Sequence, residues 1–143
     1  MKPLIVSLVA LILLSCDDRQ GKKMISAAEA PAALGPYSQA VEVDGTVYVA
    51  GQIALRRDGS IDTTTFENEC AQTLQNISLI LHAAEKKNAD VCKVTVYLTD
   101  LKQYAVFNKV YARHFTSDFP AREVVAVKAL LKGAHIEISV IAR

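Results

Sequence analysis

Four polar side chains stand at unusual places in an otherwise apolar pattern: Tyr37, Asn108, Arg122 and Glu137. The sharpest is Arg122, in the stretch FPAREVVAV (Phe119–Val127), at the mouth of an apolar run. A guanidinium does not shed its charge, and its planar fork matches a carboxylate through two parallel hydrogen bonds. At the start of an apolar strand it is either paired with an acid of the chain or faces an aqueous cleft. Glu137 lies in HIEISVIA. Strand alternation puts it on one face with His135 and Ser139, against Ile136, Ile138 and Val140 on the other, the ordinary pattern of a solvated strand face. Asn108 sits in a helical run, where a surface amide is the default. Tyr37 follows Gly35-Pro36, where a tyrosine usually packs against a turn. Alone, none of the four carries a function. The chain has no G-x-S-x-G elbow, no Gly-rich phosphate loop and no H-E-x-x-H, and His82, His114 and His135 lack metal-ligand spacing.

The elements that must position these residues follow from periodicity. Gln39–Val43 and Thr46–Ala50 read as strands joined by Asp44-Gly45, a strong two-residue hairpin signal. Phe66–Lys86 reads as a helix. Phe66, Cys70, Leu74, Ile77, Leu81 and Ala84 line one face, and Thr64 with Glu67 form a candidate capping box. Val91–Leu98 alternates, with Cys92, Val94, Val96 and Leu98 on the apolar side. Leu101–Phe115 is a second helix, ended by Pro120. Ala121–Ala129 and His135–Ala142 are strands connected through Lys132-Gly133. The order is β-β-α-β-α-β-β, an α+β domain with one mostly antiparallel sheet and two helices on one face. Val124–Val127 is apolar at successive positions, so both faces of that strand are expected to be buried. Two helices cover only one face, and a second copy of the chain is the economical cover for the other.

The chain has 143 residues and a formal net charge of +1, enough for one domain with a sizeable core. Only Lys2 is charged in the first 15 residues, so basic and acidic side chains balance in the remainder. That balance argues against nucleic acid, whose phosphates call for a basic face. Residues 1–15 have the layout of a secretory signal, and their apolar run is shorter than the about 20 residues of a membrane span. Cys16 directly after Leu13-Leu14-Ser15 resembles a bacterial lipoprotein box. The expectation is a lipidated Cys16, a polar tether over 16–29, a domain over 30–143, and a membrane-anchored protein facing the periplasm. The alternative is a true start at Met24 and a cytoplasmic protein. Cys70 and Cys92 are expected to be buried, free thiols.

Six blocks reach a known family: ALGPYSQAV (Ala33–Val41), GQIA (Gly51–Ala54), VTVYLTDL (Val94–Leu101), FNKVY (Phe107–Tyr111), FPAR (Phe119–Arg122) and IEISVIA (Ile136–Ala142). In this order and spacing they resemble the RidA/YjgF family of enamine/imine deaminases. The resemblance implies a chorismate-mutase-like fold and a homotrimer with three clefts between subunits. It implies hydrolysis of 2-imino acids, formed from 2-aminoacrylate or 2-aminocrotonate, to 2-keto acids and ammonia, with no metal and no cofactor. Arg122 matches the family's substrate-carboxylate arginine. Tyr37, Asn108 and Glu137 match its other cleft residues, and the chemistry leads one to expect Glu137 to orient or deprotonate the attacking water. Gly51 falls where main chain comes close to substrate. Val124 stands where many members have a cysteine, so a thiol there is excluded. Ala50 replaces a frequent Ser or Thr, Leu131 a frequent Pro, and Glu85 and Ala89 frequent glycines. The alternatives are a non-catalytic trimer that binds small carboxylates or apolar protein surfaces, and a hydrolase for another C=N or enamide substrate.

Overall fold

The computed structural model describes residues 21–143. The expected signal segment and Cys16 lie outside the described residues. The chain folds as β1 (Lys23–Ile25), β2 (Ala40–Val43), β3 (Thr46–Gln52), α1 (Phe66–Ala83), β4 (Val91–Leu98), α2 (Tyr104–His114), β5 (Ala121–Ala126) and β6 (Ile136–Ala142). The six strands form one sheet in the order β1-β2-β3-β6-β4-β5. All neighbours are antiparallel except β4 and β5, which run parallel across the α2 crossover. The last strand is thus inserted into the middle of the sheet, between β3 and β4.

Local chemistry accounts for most boundaries. Asp44 and Gly45 take φ of 49° and 74°, the left-handed pair that a two-residue hairpin requires. Thr65, not Thr64, caps α1: it is extended, and its hydroxyl accepts the Asn68 N–H at 3.1 Å. Glu67 takes no part in a capping box and instead pairs with Arg113 of α2, tying the helices together. The helix ends three residues short of the expected Lys86. Glu85 turns left-handed at φ 58°, and Lys86 N–H returns to the Leu81 carbonyl at 2.8 Å. A single 3-10 turn over Leu101–Gln103, capped by Asp100, precedes α2 where the sequence suggested continuous helix.

Both helices pack on one face of the sheet. Leu74, Ile77, Ile80 and Leu81 of α1 and Phe107 of α2 meet Val47, Val94, Val96, Ile136 and Ile138, all at most 1% exposed. Each such side chain stabilises the fold by roughly 1.5–3 kcal/mol. The opposite face has no cover among the described residues. Register places rows across it: Val41, Tyr48, Ile141 and Lys93; then Ser139, Thr95 and Glu123; then Glu137, Tyr97 and Val125.

Three expectations change. A strand absent from the sequence reading, β1, pairs with β2, and Ile25 and Ala27 are buried, so the folded unit starts within the stretch expected to be tether. Cys92 is exposed: the β4–β6 register slips between Val91 and Lys93, so Val91 takes the inward place and the thiol turns out. Finally, β5 is an edge strand. Only its Val124 side packs on the core, while Val125 is 44% exposed.

Glu85 holds a conformation that costs a side-chain-bearing residue about 1–2 kcal/mol, partly offset by the backbone freedom a glycine loses on folding. Glu85→Gly is therefore expected to stabilise the protein by about 0.5–1 kcal/mol. An unchanged or lower urea midpoint would contradict this.

Candidate functional site

Arg122 stands second in β5, in register with Val94 and hence on the helix-covered face. Being on the edge strand, its side chain reaches past the sheet to α2. There Nη2 donates to Asn108 Oδ1 at 2.8 Å and to the Tyr104 hydroxyl at 3.2 Å. The guanidinium carbon lies 4.4 Å from the Tyr111 ring centroid, 5.1 Å from that of Phe107 and 5.8 Å from that of Tyr104. Rings at such distances attract a cation through their quadrupole. The ion-pair alternative is not realised: among the described residues no carboxylate lies within 4.0 Å of Arg122. Its neighbour Glu123 points to the other face and holds Thr95 at 2.9 Å and Lys93 at 3.3 Å.

Two cavities open beside this cation. One, of about 410 Å³, is lined by Leu101, Tyr104, Arg122 and Val124. The other, of about 470 Å³, is lined by Asn108, Tyr111, Ala112, Phe119, Pro120 and Arg122. Tyr111 is 4% exposed, and its hydroxyl has no partner among the described residues. The Tyr104 phenol is held below its ordinary range, first by its hydrogen bond with Asn108 and then by the Arg122 charge.

Glu137 belongs to a second patch. It sits in β6 opposite Tyr97, on the uncovered face. Burial pushes its carboxyl above the usual carboxylate range, because a half-buried carboxylate gives up hydration. The register of β3 against β6 slips between Val49 and Gln52, and this brings Gly51 over the Glu137 side chain. A Cβ at Gly51 would strike Glu137 Oε1, so only glycine leaves the carboxylate where it is. Tyr37 and Gly51 line one small cavity together, and the Tyr37 hydroxyl accepts the Leu34 N–H at 3.1 Å. Buried Gln39 fixes that loop through the Ala27 N–H at 2.7 Å and the Pro31 carbonyl at 2.7 Å. On the other side, Glu69 is 1% exposed. It accepts the His135 N–H at 2.6 Å and pairs with His135 Nδ1 at 2.9 Å, anchoring the chain two residues before Glu137.

The residues singled out in the sequence thus gather in two groups. Arg122 meets Asn108, and Gly51 meets Glu137 with Tyr37 nearby. The groups lie on opposite faces of the sheet and do not meet within one chain. Sequence reasoning missed Tyr104, which it placed only within the second helix, Leu101–Phe115. The signal was there: Tyr104, Asn108 and Tyr111 fall at i, i+4 and i+7, and all three carry polar tips.

The fold and its two polar patches define an α+β domain with an arginine braced by rings and an amide on one face and a half-buried acid on the other. The family model described as Endoribonuclease L-PSP matches residues 27–143. The 2-iminobutanoate/2-iminopropanoate deaminase of Bos taurus is 45% identical over 122 residues, covering 85% of this chain and 89% of that protein. The crystal structure of RidA from an Antarctic Psychrobacter superposes with a TM-score of 0.81 at 40% identity, covering 84% of this chain and 98% of that one. Escherichia coli TdcF, solved with bound serine, gives a TM-score of 0.80 at 35% identity, covering 84% and 97%. The chain belongs to the Endoribonuclease L-PSP family, which includes the RidA and YjgF proteins.

The contact between Gly51 and Glu137 has a measurable consequence. The atoms an alanine would strike belong to the flexible side chain of Glu137, so Gly51→Ala is expected to fold with a stability change within about 1 kcal/mol. The displaced carboxyl should then titrate at lower pH, nearer the ordinary range, in carboxyl-carbon NMR. An unmoved titration would mean that the carboxylate does not rest against Gly51.

Proposed function

We propose that the protein hydrolyses reactive 2-imino acids, formed by tautomerisation of 2-aminoacrylate or 2-aminocrotonate, to 2-keto acids and ammonia. The observation that carries this reading is Arg122: a guanidinium with no acidic partner among the described residues, braced by rings and an amide, and opening on a cavity. Relatives named as 2-imino acid deaminases support it, as does a relative solved with an amino acid bound.

The two patches suggest how the site is made. The uncovered face carries Val41, Tyr48, Tyr97, Val125 and Ile141 among its polar groups, a surface suited to another copy of the chain. We assign a homotrimer in which Arg122 and Asn108 of one subunit face Tyr37, Gly51 and Glu137 of the next. Arg122 holds the substrate carboxylate. An imine carbon is already electrophilic, so positioning and one proton acceptor suffice. Glu137 takes a proton from water as its oxygen adds to C2. It passes that proton to nitrogen, giving the 2-amino-2-hydroxy acid, then carries the hydroxyl proton to nitrogen as the C–N bond breaks, leaving the keto acid and ammonia. A carboxyl raised by burial suits both transfers. Tyr37 closes the cleft.

The alternative is a trimer that binds small carboxylates without turning them over, for which Arg122 suffices and Glu137 is dispensable. A nuclease reading, prompted by the family's description, draws no support from a net charge of +1.

With 2-iminopropanoate generated in situ by a serine dehydratase, the protein should accelerate the ultraviolet decay. Arg122→Ala should lower kcat/KM about 10- to 100-fold, from a charge-assisted contact worth about 1.5–3 kcal/mol. Glu137→Gln should lower kcat by about 100-fold or more. No acceleration by the wild type discards the deaminase reading, and a fully active Glu137→Gln discards the role given to that carboxylate. In sedimentation at micromolar concentration the protein should run as a trimer; a monomer would remove the shared cleft.

A further inference from the structure

Resting on the carboxylate-clamp reading of Arg122, we propose that Tyr104 is a place-holder. Its hydroxyl occupies the guanidinium and gives way when a substrate carboxylate arrives.

A guanidinium can grip a carboxylate in two bidentate ways, end-on through Nη1 and Nη2 or side-on through Nε and Nη2. Both need Nη2. In Arg122 that nitrogen already donates to Asn108 Oδ1 at 2.8 Å and to the Tyr104 hydroxyl at 3.2 Å. A two-point grip on substrate therefore requires one of these acceptors to yield. Three observations select Tyr104. Its bond is the longer of the two. The residue is 41% exposed, at the start of α2, so it has room to swing. It also lines the cavity walled by Leu101 and Val124, one of the two beside the guanidinium. The cation does not need Tyr104 to stay in place, because Asn108 and the Tyr111 and Phe107 rings fix it from other directions.

A phenol in this role satisfies the cation before a carboxylate enters, and it competes with every carboxylate that does. It sets a threshold that favours ligands able to replace a neutral acceptor with a charged, two-point one. A neutral analogue gains nothing from displacing it. This separates a place-holder from a residue that merely braces Arg122, whose loss would weaken carboxylate binding.

The test uses 2-oxobutanoate and its amide, 2-oxobutanamide, with the full-length wild type and Tyr104→Phe, whose fold is checked by thermal melting. Calorimetric titration should show 2-oxobutanoate binding the variant about three- to tenfold more tightly than the wild type, with the amide unchanged. In the wild type labelled at the tyrosine ζ carbon, the Tyr104 resonance should move on binding the oxo acid and stay still with the amide. Equal or weaker binding of 2-oxobutanoate by the variant, or equal tightening of the amide, overturns the proposal. A wild type that hydrolyses imines while Tyr104→Phe binds like wild type removes the place-holder and leaves the deaminase. A wild type that binds 2-oxobutanoate with the full Tyr104 effect, yet hydrolyses no imine, removes the deaminase and leaves the place-holder. No binding of 2-oxobutanoate to either protein removes the clamp and the place-holder with it.

Discussion

Successive side chains of a strand point to opposite faces of its sheet, and this alternation governs the molecule. Arg122 lies in the row of Val94, which faces the helices, and Glu137 lies in the row of Tyr97, which does not. No rotamer carries either side chain through the sheet. The two groups that the proposed chemistry needs are therefore separated by the same geometry that builds the core. Only a second surface, brought against the uncovered face or the β5 edge, can place them in one cleft. The insertion of β6 between β3 and β4 reinforces this. It sets Glu137 in a central strand, under Gly51 on one side and beside Tyr97 on the other, while Arg122 stays at the rim.

The two charged groups are held by different means. Arg122 keeps its charge in a shell of neutral partners: one amide, one phenol and the faces of aromatic rings. Such a shell orients the cation without neutralising it, which leaves its field free to attract an anion. An ion pair at the same place would have consumed it. Glu137 is instead kept by confinement, under a glycine and in partial burial, and its proton affinity rises as a result. Behind it, buried Glu69 and His135 fix where β6 begins.

Much of this was legible in the chain. The Asp44-Gly45 turn, the inward stripe of α1 and the alternation of β6 are local patterns, and they appear where periodicity puts them. What was not legible depends on partners far along the chain. The short β1 carries no periodic signal in its three residues and exists because β2 offers an edge. The slip between Val91 and Lys93 is set by register against β6, so alternation alone sent Cys92 to the wrong side. Of the site, Arg122 and Glu137 stood out because a charge beside apolar residues is costly. Tyr104 did not, because an amphipathic ring satisfies a hydrophobic pattern and a polar role at once.

That slip in β4 also sorts the thiols. Cys70 is sealed beneath α1, and burial, with Glu69 beside it, pushes it up to about 12, so almost none of it is thiolate near neutrality. Cys92 stands in solvent. Among the described residues each chain thus presents a single accessible thiol, at a defined place on the sheet. A maleimide dye would attach there and nowhere else in the folded domain, giving each chain one optical tag without any engineered residue.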